Sequence, residues 1–270
     1  LDSKSKGNDL PQIAMLPAHW RPEPTPLLRL GARHDGGYVV PLKAVEAANS
    51  LLSFGVERDW SFEKDFAARK KTGFRIDCFD PTTLSTAPKL SFPRRIWRTL
   101  SGRRHFRHLH VGSDSALANF FGKPAVKLHQ LWIGDSPDIN VEALSFQAVL
   151  KLVGPQTPFF LKIDIEGSEW GILDEILNHS GLICGIAIEF HGLDEQHRTL
   201  SRDHELFRKF AVCNVHANNN IPEFKNIPDV IEFSLLNRSL MNGPSAFDHL
   251  DLNRPNQPGR DEIKIDYLAG

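Results

Sequence analysis

Phe159-Phe160-Leu161-Lys162-Ile163-Asp164-Ile165-Glu166-Gly167-Ser168-Glu169-Trp170 joins an apolar run to an acidic turn that contains a glycine. The run is too continuously apolar for a half-exposed strand. It reads as a strand buried on both faces, and such strands belong to parallel sheets covered by helices. Period-two alternation puts Lys162, Asp164 and Glu166 on one side for as long as the strand persists. As a calcium loop starting at Asp164 the stretch fails, because its sixth place is Glu169 where glycine is required. The acidic residues therefore stand at the carboxyl end of a strand, where open α/β sheets hold their ligands.

Outward from this stretch the pattern repeats. Strands are predicted over 50–55, 73–80, 107–112, 158–165, 185–190, 211–216 and 229–236, with helices over 62–71, 141–152, 169–178 and 203–210. Strands alternating with helices of this length predict an α/β domain whose seven-stranded, mostly parallel sheet carries helices on both faces. Pro11, Pro17, Pro22, Pro24 and Pro26 predict an extended arm over residues 1–30, ahead of a single domain over 31–270. Arg94, Arg95, Arg98, Arg103, Arg104 and Arg107 mark a basic insertion near 91–108, read either as a solvated helix and loop or as a seat for an anionic group. From Asn242 to Arg260 the chain is polar and proline-rich, a surface loop before a last short strand, Ile263 to Tyr267.

Composition narrows the classes. With 270 residues, 41% of them hydrophobic, the chain can bury a substantial core. A formal net charge of −1 argues against whole-chain binding to nucleic acid or anionic lipid, and no nucleic-acid partner is expected. No apolar run approaches the roughly 20 residues of a membrane helix. Cys78, Cys184 and Cys213 each lie in an apolar run and read as core residues rather than as a disulfide framework. A cytoplasmic location is expected, with a removed leader as the alternative because the sequence starts at Leu1; the oligomeric state is not legible.

The strand ends carry the chemistry. The first delivers Gly55-Val56-Glu57-Arg58-Asp59, then Trp60-Ser61-Phe62-Glu63 opening a helix with Ser61 as its expected N-cap. The second ends in Asp80, placed as an acid that accepts from ribose hydroxyls in a nucleotide-binding βαβ unit. The third ends Val111-Gly112-Ser113-Asp114, a polar edge suited to an adenine amino group. A dinucleotide would want G-x-G-x-x-G for its two phosphates, whereas this turn is acidic. A ligand with a ribose and a cationic centre but no phosphate suits it better, which is the charge pattern of S-adenosylmethionine. The fifth strand ends Glu189-Phe190-His191 and the sixth Val215-His216. If the strands are neighbours, Asp164, Glu189, His191 and His216 gather at one opening, as a general base or as ligands of a hard divalent ion.

On His34-Asp35-Gly36-Gly37-Tyr38-Val39, Ser53-Phe54-Gly55 through Glu63, Phe79-Asp80-Pro81 and Leu161 through Trp170, the chain resembles the FkbM-type S-adenosylmethionine-dependent methyltransferases over about Gly31 to Leu236. The resemblance implies a Rossmann-like class I methyltransferase fold and S-adenosylmethionine as methyl donor. It implies contacts to the methionine part from Gly55, Glu57, Asp59 and Ser61, to ribose from Asp80, and to adenine from Ser113 and Asp114. The second glycine usual in the first turn is absent. The implied reaction is methyl transfer to a hydroxyl of a sugar or other small molecule, an acceptor that is anionic if the arginine stretch engages it. His191 or His216 is the expected base, a metal on Asp164 and Glu189 the alternative, and Asp35 and Tyr38 are expected to help close the pocket. A nicotinamide oxidoreductase and a non-catalytic anion-binding domain are the competing classes.

Overall fold

The computed structural model describes residues 13–83, 114–134, 143–196, 199–220, 224, 226–241 and 252–269. In chain order they form β1 (Ile13–Leu16), the hairpin β2 (Leu27–Leu30) and β3 (Tyr38–Pro41), α1 (Leu42–Ala47), β4 (Ser50–Phe54), α2 (Ser61–Ala68) and β5 (Arg75–Phe79). Next come α3 (Asp114–Phe121), β6 (Val126–His129), the short β7 (Trp132–Ile133) and β8 (Ala143–Leu144), α4 (Phe146–Val153), β9 (Phe159–Ile163) and α5 (Glu169–Asn178). The chain continues with β10 (Ile183–Phe190), α6 (Leu193–Gln196), α7 (Glu205–Lys209), β11 (Phe210–Ala217), β12 (Ile231–Asn237) and β13 (Lys264–Tyr267). Among the described residues no helix is long and apolar enough to cross a membrane.

Seven strands form one sheet in the order β11-β12-β10-β9-β4-β5-β6. Neighbours are parallel except β12, which runs against both β10 and β11. The chain enters at β4, builds outward through β5 and β6, then returns to lay β9 on the other flank of β4. Strand order thus reverses between β4 and β9, the position at which connections leave in opposite directions and a crevice opens. The expected α/β architecture is present. The continuous burial of Phe159, Phe160, Leu161, Lys162 and Ile163 in β9 follows from layers on both sides. One face packs on α4, α5 and α7 around Phe54, Leu161, Ile188 and Phe233. The other packs on the β2–β3 hairpin, α1 and α2 around Leu51, Phe160, Ala187 and Leu236.

The described strand beside β5 is Val126–His129, which pairs with it in parallel, while the strand predicted over 107–112 lies outside the described residues. The signal of β6 is weak because an edge strand with one neighbour buries little, here Val126. This strand ends at His129, Asp114 opens α3, and Ser113 lies outside the described residues. The arginine stretch from Arg94 to Arg107 is outside them as well.

Where described, the proline-rich arm consists of β1, a 3-10 turn over Ala18–Trp20 and β2, and it is built into the fold. β1 pairs in parallel with β13 near the other end of the chain. Trp20 is fully buried, donates from Nε1 to the Leu200 carbonyl at 3.3 Å, and meets the Phe233 ring edge-on with centroids 5.1 Å apart. Prolines limit the chain entropy that docking removes, and the indole acts together with the β1–β13 ladder and the Glu23–Arg238 ion pair to anchor the arm. Trp20→Ala should destabilise the whole domain by about 3–5 kcal/mol in urea unfolding; a loss near zero would show that the arm docks independently of the core.

Candidate active site

Register across the sheet aligns a polar row at its carboxyl end. Phe54 faces Ile163 across β4 and β9, and Ile163 faces Ile188 across β9 and β10, so Gly55, Asp164 and Glu189 leave the strands side by side. Glu189 faces Glu232 on β12, which faces His216 on β11. Alternation puts all of these on the face covered by the β2–β3 hairpin. Two turns diverge from this row, and each contains a non-glycine residue with left-handed φ, Glu57 at 53° and Glu166 at 62°. These are the two such residues among the described ones. Strain of this kind persists where surrounding contacts over-determine it, commonly at ligand sites.

The first turn joins β4 to α2. Gly55 has φ 77°, and a Cβ there would lie 1.6 Å from the Asp164 carbonyl oxygen, so no other residue fits. Lys162 Nζ donates to the Gly55 carbonyl at 2.6 Å from beneath. Asp80, at the end of β5, reaches over to this turn: its Oδ2 accepts from the Glu57 N–H, and its Oδ1 accepts from Thr82 N, Thr82 Oγ1 and Thr83 N. Gly55, Glu57 and Asp80 therefore adjoin one another. Ser61 differs from expectation: it is the first residue of α2 rather than its cap, and Asp59 Oδ1 accepts the Ser61 N–H at 2.9 Å. An acid two residues upstream does the capping because its short side chain bends back onto the helix start.

The second turn joins β9 to α5. Glu169 is fully buried, with Oε1 accepting from Ile165 N at 2.9 Å and Oε2 from Gly167 N at 2.8 Å. The same Oε1 is 3.1 Å from His191 Nδ1. His191 Nε2 lies 3.3 Å from Glu189 Oε1 and 3.6 Å from Glu166 Oε2. Burial by itself would lower the pKa of this imidazole, but the charge and hydrogen bond of Glu169, with those of Glu189 and Glu166, outweigh it and raise it well above its ordinary value. The Glu189 carboxyl is pushed up, first by burial and then by the Asp164 charge. Tyr38, buried on β3, donates from its hydroxyl to Asp164 Oδ2 at 3.1 Å. Burial, followed by Asp164 and Glu189, raises the phenol, so it stays a donor.

Of the four expected catalytic groups, the structure brings Asp164, Glu189 and His191 together and sets His216 apart. Glu232 stands between His216 and Glu189, and both His216 nitrogens are engaged, Nδ1 by Glu232 at 3.2 Å and Nε2 by Glu262. The sequence reading missed Asn218, which donates to Glu189 Oε1 at 3.3 Å, and did not foresee Tyr38 as a direct partner of Asp164. Asn218 had a signal, its place just past the sixth strand; Tyr38 was expected near the pocket, but only packing of the hairpin brings its hydroxyl onto Asp164.

A reversed strand order, one antiparallel strand beside the sheet's far edge, and a glycine turn tied to an acid on the next strand define a Rossmann-like methyltransferase. The family model described as the methyltransferase FkbM domain matches residues 43–229, and the chain belongs to that family. No protein with a curated description matches it. Among solved structures it is similar to the crystal structure of the 23S rRNA methyltransferase ErmE, at 12% identity and a TM-score of 0.38, over 74% of this chain and 69% of that one.

The His216 pair sets a pH dependence. Burial opposes protonation, but Glu232 and Glu262 prevail and hold the pKa at about 10 in the fold. A raised folded pKa means that the stabilisation is full below the unfolded value near 6.5 and is lost as pH rises towards about 10. Unfolding free energy should therefore fall over that window by up to about 1.4 kcal/mol per pH unit. In His216→Gln that part of the slope should vanish; parallel profiles for the two proteins would rule the pair out as its source.

Proposed function

We propose that this methyltransferase acts on a hydroxyl oxygen of a sugar or another small molecule, with S-adenosylmethionine as donor. The observation that carries the reading is the juxtaposition, on adjacent strands at the point of reversal, of the Gly55–Asp80 turn and the Asp164–His191–Glu189 cluster. The residues present suit the donor. Gly55 leaves backbone where a Cβ would otherwise intrude. Asp80 Oδ2 accepts one described bond and an ionised carboxylate oxygen has a second lone pair, which suits a ribose hydroxyl. Glu57 and Asp59 place acidic groups at the turn, and Asp59 already occupies the Ser61 N–H. A pyrophosphate would be repelled there, which disfavours a nicotinamide dinucleotide, whereas a cation is attracted.

When bound, S-adenosylmethionine supplies an electrophilic methyl group on a sulfonium whose charge is neutralised as the thioether leaves. The chain's own work is alignment and proton transfer. Holding reactants in line contributes about 7–11 kcal/mol in favourable cases. The acceptor hydroxyl must lose its proton as its oxygen attacks carbon. With both His216 nitrogens occupied, the group for that proton is Asp164, at the cleft and positioned by Tyr38, with His191 and Glu189 behind it. Glu169 orients the imidazole, and Asn218 orients Glu189.

Isothermal titration should detect S-adenosylhomocysteine and no NADH. Asp80→Asn should weaken that binding about ten-fold, the size of one charge-assisted hydrogen bond. Asp164→Asn should lower methyl transfer to a hydroxyl acceptor by about 100-fold or more while leaving S-adenosylhomocysteine affinity nearly unchanged. Binding of NADH in place of S-adenosylhomocysteine would overturn the reading, and near-normal turnover in Asp164→Asn would move the proton transfer elsewhere.

A further inference from the structure

Asp164, Glu166, Glu169 and Glu189 crowd around His191. One oxygen each from Asp164 and Glu166 and one ring nitrogen of His191 lie within 4.8 Å of one another. Glu169 sets the ring. Its carboxylate is buried and accepts two backbone N–H groups, which favours the ionised, acceptor-only form. Nδ1 therefore donates to it, and Nε2 faces away, towards Glu166 and Glu189. An imidazole oriented by a carboxylate through one nitrogen, with the other turned to further ligand atoms, is the way proteins prepare a histidine for a metal ion; a cation bound there displaces the Nε2 proton, which is released to solvent.

A separate observation points to the same spot. The Glu189 side chain is only 2% exposed, and its Oε2 has no hydrogen-bond partner, although Oε1 of the same carboxyl lies 3.3 Å from His191 Nε2. A buried carboxyl oxygen without a hydrogen-bond partner is destabilising, and a cation placed against the cluster relieves it. Glu166, with left-handed φ, is the most exposed member at 35%, so the cluster is reached from solvent through its side chain, while His191 is 16% exposed.

We propose that Asp164, Glu166 and His191 bind one divalent cation of the magnesium–manganese class, with Glu189 as a buried neighbour and Glu169 orienting His191. Two carboxylates and one imidazole favour such an ion over one selected by thiolates. Its binding stands on the geometry alone. Its role rests on the methyl-transfer reading above: beside Asp164 it draws the acceptor oxygen in and makes that hydroxyl easier to deprotonate. The proton still leaves to a carboxylate or to water, and nothing is oxidised or reduced.

The test is titration of the full chain, stripped with chelator, with manganese(II), followed by calorimetry and by loss of the free-ion electron paramagnetic resonance signal. One ion per chain is expected. Binding should weaken by about ten-fold or more in His191→Gln and in Glu166→Gln. Glu166 lies on an exposed turn, so its variant carries the test even if His191→Gln does not fold. Absence of binding up to about 1 mM manganese, or unchanged affinity in Glu166→Gln, overturns the proposal. The two readings fail separately. S-adenosylhomocysteine binding with full turnover in chelator and no manganese uptake removes the cation alone. Manganese uptake without S-adenosylhomocysteine binding removes methyl transfer and leaves the cation site.

Discussion

The contact between Gly55 and the Asp164 backbone governs the rest of this molecule. β4 and β9 run in parallel up to Phe54 and Ile163, and there the two chains are so close that a Cβ on Gly55 would overlap the Asp164 carbonyl. Lys162 fastens the pair from below by donating to the Gly55 carbonyl. Beyond that pinch the chains must part, one towards α2 and the other towards α5, and each does so through a residue with left-handed φ. The crevice is the space between them. Its two chemistries, a turn that suits an adenosine with a cationic centre and a carboxylate–imidazole cluster, are neighbours because the strands that deliver them are neighbours.

Burial of so many ionisable groups on one face would be ruinous without assigned partners. Most of them have one. Glu63 accepts from Ser53, Glu232 accepts from Asn256 and pairs with His216, and His216 is closed off by Glu262. These contacts tie α2 and the C-terminal segment to the sheet. Single carboxyl oxygens of Glu63, Glu189 and Glu262 nevertheless lack a hydrogen-bond partner. Of these three, Glu189 stands beside His191, its other oxygen shared between Asn218 and that imidazole, so it lies where a substrate proton or a cation has something to gain.

Much of this was legible because it rests on short-range pattern. The apolar run of β9, the helix over 169–178 and the common side of Glu189 and His191 all follow from periodicity in a rigid, doubly covered strand. The link between Asp80 and the Gly55 turn follows from two consecutive parallel strands. The failures are equally physical. Edge strand β6 buries too little to stand out, and Asp59 rather than Ser61 caps α2 because the local geometry of the turn, not the residue preference, decides which oxygen reaches the N–H. Proline content predicted an extended arm and gave no sign of the 3-10 turn that drives Trp20 into the core.

By itself the sequence determined the class of fold, the order of its buried strands and the acidic residues that would stand at their carboxyl ends, since hydrophobic period and turn chemistry are encoded within a few residues. Only the tertiary structure decided which of those residues meet. Tyr38 reaches Asp164 across 126 positions of chain, and Glu262 closes on His216 across 46. Separations of that length are bridged by packing of whole elements, whose outcome depends on the shape of the entire core and leaves no mark on the local pattern of either partner.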